Sequence, residues 1–265
     1  MNDITYAALD ARVDGVARAL YRDGVAPGDR VGLALEPGAD FAVALHAAWR
    51  LGCPVVPGAP DGLTELPEPA DADAPLLDTH DLEAVAAVMY TSGSTAAPKE
   101  VSLTFGNWLW SALGSGVALG VDPQERWLSA LPLNHVGGLS IVVRSAIYAT
   151  TALVHERWET ERVLHALQHD GVTLISLVPT TLARLLDAGL REPPALRTVL
   201  LGGAPIPAAL AQRAREAGVG VTETYGLTEA CSQVTTGGPP VGGCRGQSPT
   251  RTRGSAAWRP TSRRP

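Results

Sequence analysis

Apolar positions along the chain switch repeatedly between a helical period and short unbroken runs, the signature of alternating α and β elements. In TYAALDARVDGVARALYRDG, Leu9, Val13, Val16, Ala17 and Leu20 fall on one helical stripe, and Gly24 stops it. DRVGLALEP reads as a short buried strand and GADFAVALHAAWRLG as the helix that follows. The strand AVAAVMY then runs straight into a loop crowded with small hydroxyls, TSGSTAAPKEVSLT. Beyond it the alternation continues: helix TFGNWLWSALGSGVALG, strand RWLSALPL, helix GGLSIVVRSAIYAT, strand TALVH, helix TERVLHALQHDG and strand VTLISLV. PTTLARLLDAG opens with Pro179, where a helix tolerates proline. LRTVLLGGAPIP and GVGVTETYGLTEA each predict a strand running into a turn that bears glycine or hydroxyls, the place where α/β proteins put ligands.

From about Gly237 the pattern collapses. The stretch to Pro265 holds no Leu, Ile or Phe, and after Val241 no aliphatic residue larger than Ala, so it cannot offset its ordering entropy by burial and is expected to be disordered. The 265 residues, 45% of them hydrophobic, are otherwise ample for one large or two small domains with a buried core. Formal charge is −6, but Gly243–Pro265 holds six basic and no acidic side chains, leaving residues 1–242 with 15 basic against 27 acidic groups. An acidic body argues against nucleic acid as the main partner. Cys53, Cys231 and Cys244 are scattered without a CxxC pair, which supports neither a zinc site nor a disulfide framework. The N-terminus lacks the basic start and apolar core of an export signal, and no run of about 18 apolar residues predicts a membrane span. A cytoplasmic protein is expected.

Lys99 is the only lysine in the chain, and it stands at the end of the hydroxyl-rich loop. A turn of Thr, Ser and Gly after a strand offers backbone N–H groups and hydroxyls to phosphate oxygens, and a lysine adds a movable positive charge. The spacing is not that of a Walker A loop: no glycine lies between Gly93 and Lys99, and Glu100 follows the lysine. Composition alone is equally consistent with a polar surface loop. Glu161, His165 and His169 share an i, i+4 helical spacing that mimics a metal site, but their helix reads as an ordinary solvated face.

Two further stretches tip the balance. YTSGSTAAPKEV, LPLNHVGGLS, LLGGAPIP and ETYGLTEA occur in this order, and together they resemble the motifs of the adenylate-forming superfamily of acyl-CoA ligases, peptide-synthetase adenylation domains and luciferases. TYAALDARVDGVARAL, GVAPGDRVGLAL and GADFAVALHAAWRLGCPVVPGAP look like the start of such enzymes, so the resemblance covers roughly residues 4–240. It implies the N-terminal domain of that fold over residues 1–242, an α/β architecture of layered sheets. It implies ATP and Mg2+ as cofactors, CoA as co-substrate and a small carboxylic acid as substrate. It implies that Thr91, Ser92, Gly93, Ser94, Thr95 and Lys99 embrace the β- and γ-phosphates. Gly202, Gly203, Ala204 and Pro205 would lie beside the adenine and part of the acyl pocket, Tyr225 with Gly226 against the adenine, and Thr228 and Glu229 at the α-phosphate and the metal. His135 matches a position lining the acyl pocket. Without the motif, Glu229 reads as a helix N-terminal charge and His135 as a structural histidine.

NHVGGLSIVVRSAIYATTALVH and VTLISLVPTTLARLLDAG are most similar to the o-succinylbenzoate–CoA ligases of menaquinone biosynthesis. That acid has two carboxylates, and Arg144 is the candidate for the one that does not react; the bland alternative is an arginine whose stem packs while its head reaches solvent. The runner-up is another aryl- or fatty-acid–CoA ligase, and from a different class, a non-catalytic nucleotide-binding remnant. Ala96 and Glu100 depart from the glycines usual in the loop, and Glu100 is expected to put a negative charge beside the triphosphate. The family's ribose-binding aspartate, hinge and lysine-bearing C-terminal domain are not recognisable, so a truncated enzyme with an out-of-frame tail over residues 243–265 is expected.

Overall fold

The computed structural model describes residues 4–91 and 98–237. It opens with α1 (Tyr6–Arg22), whose first turn is capped by the Thr5 hydroxyl accepting from the Ala8 N–H. The predicted stripe of Val13, Val16, Ala17 and Leu20 is buried there, against α2 (Ala39–Arg50). A first sheet runs in the order β1 (Val31–Leu33), β2 (Val55–Pro57), β3 (Val85–Thr91), β4 (Lys99–Thr104). The first three strands are parallel and β4 returns antiparallel to β3, with Thr91 opposite Lys99. Its core gathers Leu33, Leu45, Val55, Ala87, Met89 and Leu103, and the Trp49 indole N–H donates to the buried Ala86 carbonyl at 2.7 Å.

After β4 the Thr104 hydroxyl and the Asn107 side chain form a capping box that starts α3 (Phe105–Leu119). Next come β5 (Arg126–Ser129), α4 (Val136–Tyr148), β6 (Thr151–Val154), α5 (Thr160–His169), β7 (Leu174–Leu177) and α6 (Pro179–Asp187), with Pro179 at its first helical position. They are followed by β8 (Thr198–Leu201), α7 (Ala208–Glu216), β9 (Val221–Leu227), a 3-10 turn at Thr228–Ala230 and β10 (Ser232–Gly237). The second sheet has the order β10-β9-β8-β7-β5-β6, parallel except for β10 against β9. All four residues of β7 and of β8 are buried, as expected for central parallel strands covered by helices on both faces. Leu139, Val142 and Val143 of α4 join the first core while Ile141 packs with Trp127 and Leu174 under the second sheet, so α4 sits between the two layers.

The α/β alternation holds, with three additions. β2, β4 and β10 were not expected. β2 is three residues of the run PVVPG; β4 lies inside the stretch read as loop; β10 is built from polar residues and owes its existence to pairing with β9. Cys53 and Cys231 are free and buried, and Cys244 and the tail 243–265 lie outside the described residues. Among the described residues no helix is long and apolar enough to cross a membrane.

Candidate functional site

The hairpin of β3 and β4 sets Lys99 against Thr91, whose hydroxyl donates to the Lys99 carbonyl at 3.4 Å. Ser92, Gly93, Ser94 and Thr95, together with Ala96, lie outside the described residues. From the end of β4 the Lys99 ammonium reaches the Glu229 carboxylate at 3.1 Å, bridging the first sheet and the turn that ends β9. Both side chains remain substantially exposed, at 66% and 42%. The turn carrying Glu229 is closed by the Cys231 N–H donating to the Thr228 carbonyl at 2.9 Å. Cys231 and Ser232 then take left-handed φ values of 52° and 95°, which reverses the chain into β10. Glu229's own backbone N–H and then Lys99 hold its carboxyl below the ordinary range.

Glu100 does not face this pair. Successive strand residues point to opposite faces, and the Glu100 carboxylate instead takes a two-pronged contact from the Arg30 guanidinium at 2.7 and 2.9 Å. The negative charge expected beside the triphosphate is therefore matched by a cation on the other side of the sheet.

The segment Gly202, Gly203, Ala204, Pro205 leaves the C-terminal end of β8 beside β9. A Cβ on Gly202 would lie 2.6 Å from the Thr224 carbonyl oxygen, and one on Gly226 would lie 1.9 Å from that of Ser232, so both glycines permit close backbone approach. Gly203, Ala204 and Pro205 are exposed, and so are Tyr225, at 63%, and Gly226. Thr228 is half-buried. The arrangement offers an open shelf with one free aromatic face.

His135 is exposed at the N-cap of α4, with no side-chain bond to the helix. Asn134, just before it, lines an apolar cleft of about 310 Å³ with Leu33, Leu35, Phe41 and Leu133. Arg144 lies nine positions further along α4, about 13 Å down the axis. Its head does not reach solvent: the residue is 1% exposed, with Nη2 donating to the Ser111 hydroxyl at 2.9 Å and the guanidinium 5.8 Å over the Trp127 ring. Nε has no partner, and among the described residues no carboxylate forms a salt bridge with it. Burial pulls its pKa down to about 10. The hydroxyl of Ser111, absent from the expected site, donates to the Cys231 carbonyl at 2.6 Å.

Among the described residues no three His, Cys, Asp or Glu side chains gather as for a metal, and the His165 and His169 rings simply lie 4.6 Å apart on α5. At the shelf, Glu229 supplies a hard carboxylate oxygen beside the Lys99 ammonium. That fits Mg2+ delivered with phosphate oxygens, since this ion keeps its waters and takes one or two carboxylates. The exposed Tyr225 face and the glycine-lined shelf fit a purine, and Lys99 fits its phosphates.

Residues 1–65 and 59–259 match the AMP-binding enzyme family. The chain is 35% identical over 272 residues to the 2-succinylbenzoate–CoA ligase of Bacillus subtilis (strain 168), covering 89% of this chain and 56% of that one. It thus spans about half the length of the curated relatives it matches. The fold is similar to o-succinylbenzoate CoA synthetase of Bacillus subtilis in complex with the acyl-adenylate OSB-AMP, at TM-score 0.81 and 34% identity over 90% of this chain and 57% of that one. The same enzyme in complex with ATP and magnesium ion gives TM-score 0.81 and 34% identity, over 90% and 58%.

Proposed function

The chain belongs to the AMP-binding enzyme family, and on that premise we propose that it is the ATP-using part of an AMP-forming acid–CoA ligase whose acid is o-succinylbenzoate. In the first step a carboxylate oxygen of the acid bonds to the α-phosphorus of ATP as the bond from that phosphorus to the bridging oxygen breaks, giving acyl-adenylate and pyrophosphate. In the second, the CoA thiol displaces AMP to form the thioester. The first step brings two anions together, so its catalysis is charge neutralisation and alignment, and no side-chain nucleophile is needed.

Lys99, with Thr91, Ser92, Gly93, Ser94 and Thr95, holds the β- and γ-phosphates. Tyr225 stacks on the adenine, with Gly202, Gly203, Ala204, Pro205 and Gly226 as the wall beside it. Thr228 donates to the α-phosphate. Glu229 would hold Mg2+, which would supply further positive charge at the phosphates. His135 faces the acyl group, and Arg144 takes the carboxylate that does not react. Residues 1–242 form the AMP-binding unit. The observation that carries this reading is the Lys99–Glu229 pair at 3.1 Å, which joins two family motifs 130 residues apart. The pair is exposed, so each group exchanges its partner for phosphate or metal at little cost. Arg144 supports the choice of acid: a buried cation without an anion is costly unless something pairs with it.

The test is exchange of labelled pyrophosphate into ATP with Mg2+, with and without o-succinylbenzoate. Exchange is expected only with an acid, and Lys99→Ala lowers it by about 100-fold or more. A stronger response to a simple aryl or fatty acid would reassign the substrate. Calorimetric binding of MgATP without exchange by any acid would sink the ligase reading and leave a nucleotide-binding remnant.

A further inference from the structure

We infer that Ser111 is a positioning residue which couples the buried Arg144 to the turn bearing Thr228 and Glu229, so that an anion at Arg144 and a metal–nucleotide at Glu229 alter each other's affinity. The inference rests on the ligand assignments under Proposed function.

Ser111 stands on α3, between α4 and the β9–β10 connection. Its oxygen accepts from Arg144 Nη2 at 2.9 Å, and its single proton goes to the Cys231 carbonyl at 2.6 Å. The direction of the chain is fixed, because a guanidinium only donates and a carbonyl only accepts. Cys231 is the residue whose N–H closes the turn on Thr228, and Glu229, inside that turn, meets Lys99. Four elements are thereby linked in series: α4, α3, the 3-10 turn and β4.

Two features make this link responsive. Arg144 has no other side-chain hydrogen bond among the described residues, and its Nε is unpartnered although fully enclosed, so an arriving anion redistributes donors that now go to Ser111. At the other end, Cys231 and Ser232 hold consecutive left-handed conformations that non-glycine residues avoid, so the turn depends on outside restraints. The Ser111 bond is such a restraint, applied to the Cys231 carbonyl itself.

Thermodynamic linkage tests this without turnover when the bridge between the α- and β-phosphorus atoms cannot be cleaved. The magnesium complex of α,β-methylene-ATP is titrated calorimetrically into the protein alone and into protein saturated with o-succinylbenzoate, then into S111A and S111T. In the unmodified protein the acid is expected to change the affinity for this nucleotide by about 5-fold or more. In S111A each ligand still binds alone, but the ratio falls to near one. S111T keeps the hydroxyl and restores the ratio. Binding of both ligands with no mutual effect in the unmodified protein overturns the inference, and so does a ratio that survives in S111A. If S111A does not fold, the unmodified protein and S111T decide it. Binding of neither ligand overturns the assignments of Proposed function first, a result distinct from loss of coupling alone.

Discussion

Replacing Arg144 by methionine separates what the fold wants from what the site wants. The residue is 1% exposed, and burial pulls its pKa down from the ordinary arginine range to about 10, a cost of about 3 kcal/mol for keeping the charge in place at neutral pH. Below pH 10 the group is charged whether the chain is folded or not, so this penalty is fully present at pH 7. Methionine removes the charge and fills much of the volume. It loses one charge-assisted hydrogen bond to Ser111, worth about 1.5–3 kcal/mol. Ser111 is not orphaned, because its proton already goes to Cys231, and a thioether packs on Trp127 about as well as the distant guanidinium does. The balance leaves Arg144→Met between neutral and about 1–2 kcal/mol more stable, as when buried charges give way to apolar side chains. Urea denaturation at pH 7 reads this as a midpoint raised by up to about 0.5 M with an unchanged slope. The same titration with o-succinylbenzoate shows the other half: the acid raises the midpoint of the unmodified protein and not that of the variant. A midpoint lowered by 0.5 M or more at constant slope would refute the reasoning, since it would mean that the guanidinium is satisfied without a ligand.

Gly202→Ala puts a methyl 2.6 Å from the Thr224 carbonyl oxygen and 2.7 Å from its Cγ2, forcing β8 from β9. A loss of about 1–3 kcal/mol in urea and weaker binding of a fluorescent ATP analogue are expected, and an unchanged midpoint would contradict the close approach. His46 is pulled down to about 4 mainly by burial, so the unfolded chain binds the extra proton between about pH 6.5 and 4 and stability falls as pH drops through that window. His46→Gln should flatten the decline in stability read from the urea midpoint between pH 7 and 5, of which this residue accounts for about 2 kcal/mol; His80 and His155, shifted the same way, retain part of the slope. Glu100→Gln breaks only the exposed pair with Arg30, so the midpoint and the MgATP affinity measured by calorimetry should both stay within error.

How much of this could be read in advance depends on whether a feature is local. The stripe of α1 and the proline-led start of α6 follow from period and capping, which lie within a few neighbouring residues. β4 was hidden because only Val101 and Leu103 are buried in KEVSLT, too short an alternation to stand out behind a run of hydroxyls. β10 carries hardly any pattern: Ser, Gln, Val, Thr, Thr and Gly pair with β9 because the reversal at Cys231 and Ser232 leaves them there. Its signal lies in backbone geometry that no side chain advertises.

The site divides in the same way. Thr91, Lys99, Gly202, Tyr225 and Glu229 could be singled out because each sits in a short motif after a strand, where backbone groups and side chains converge on a ligand. That Lys99 meets Glu229, that Glu100 turns to Arg30 and that Arg144 is enclosed are consequences of topology, set by which strand edges and helices adjoin. An arginine in a helix looks the same whether its head is in water or against a tryptophan, and Ser111, in the middle of an apolar helix, looks like a neutral substitution. Yet these two residues, with Cys231, make the only described path of hydrogen bonds from the buried cation to the turn of Glu229. On the proposed reading, motifs mark the groups that would touch a ligand, whereas Ser111, through which those contacts would depend on one another, lies on a helix outside every motif. Substitutions at Ser111 should for that reason leave the individual ligands recognised and change only how the binding of one is sensed by the other.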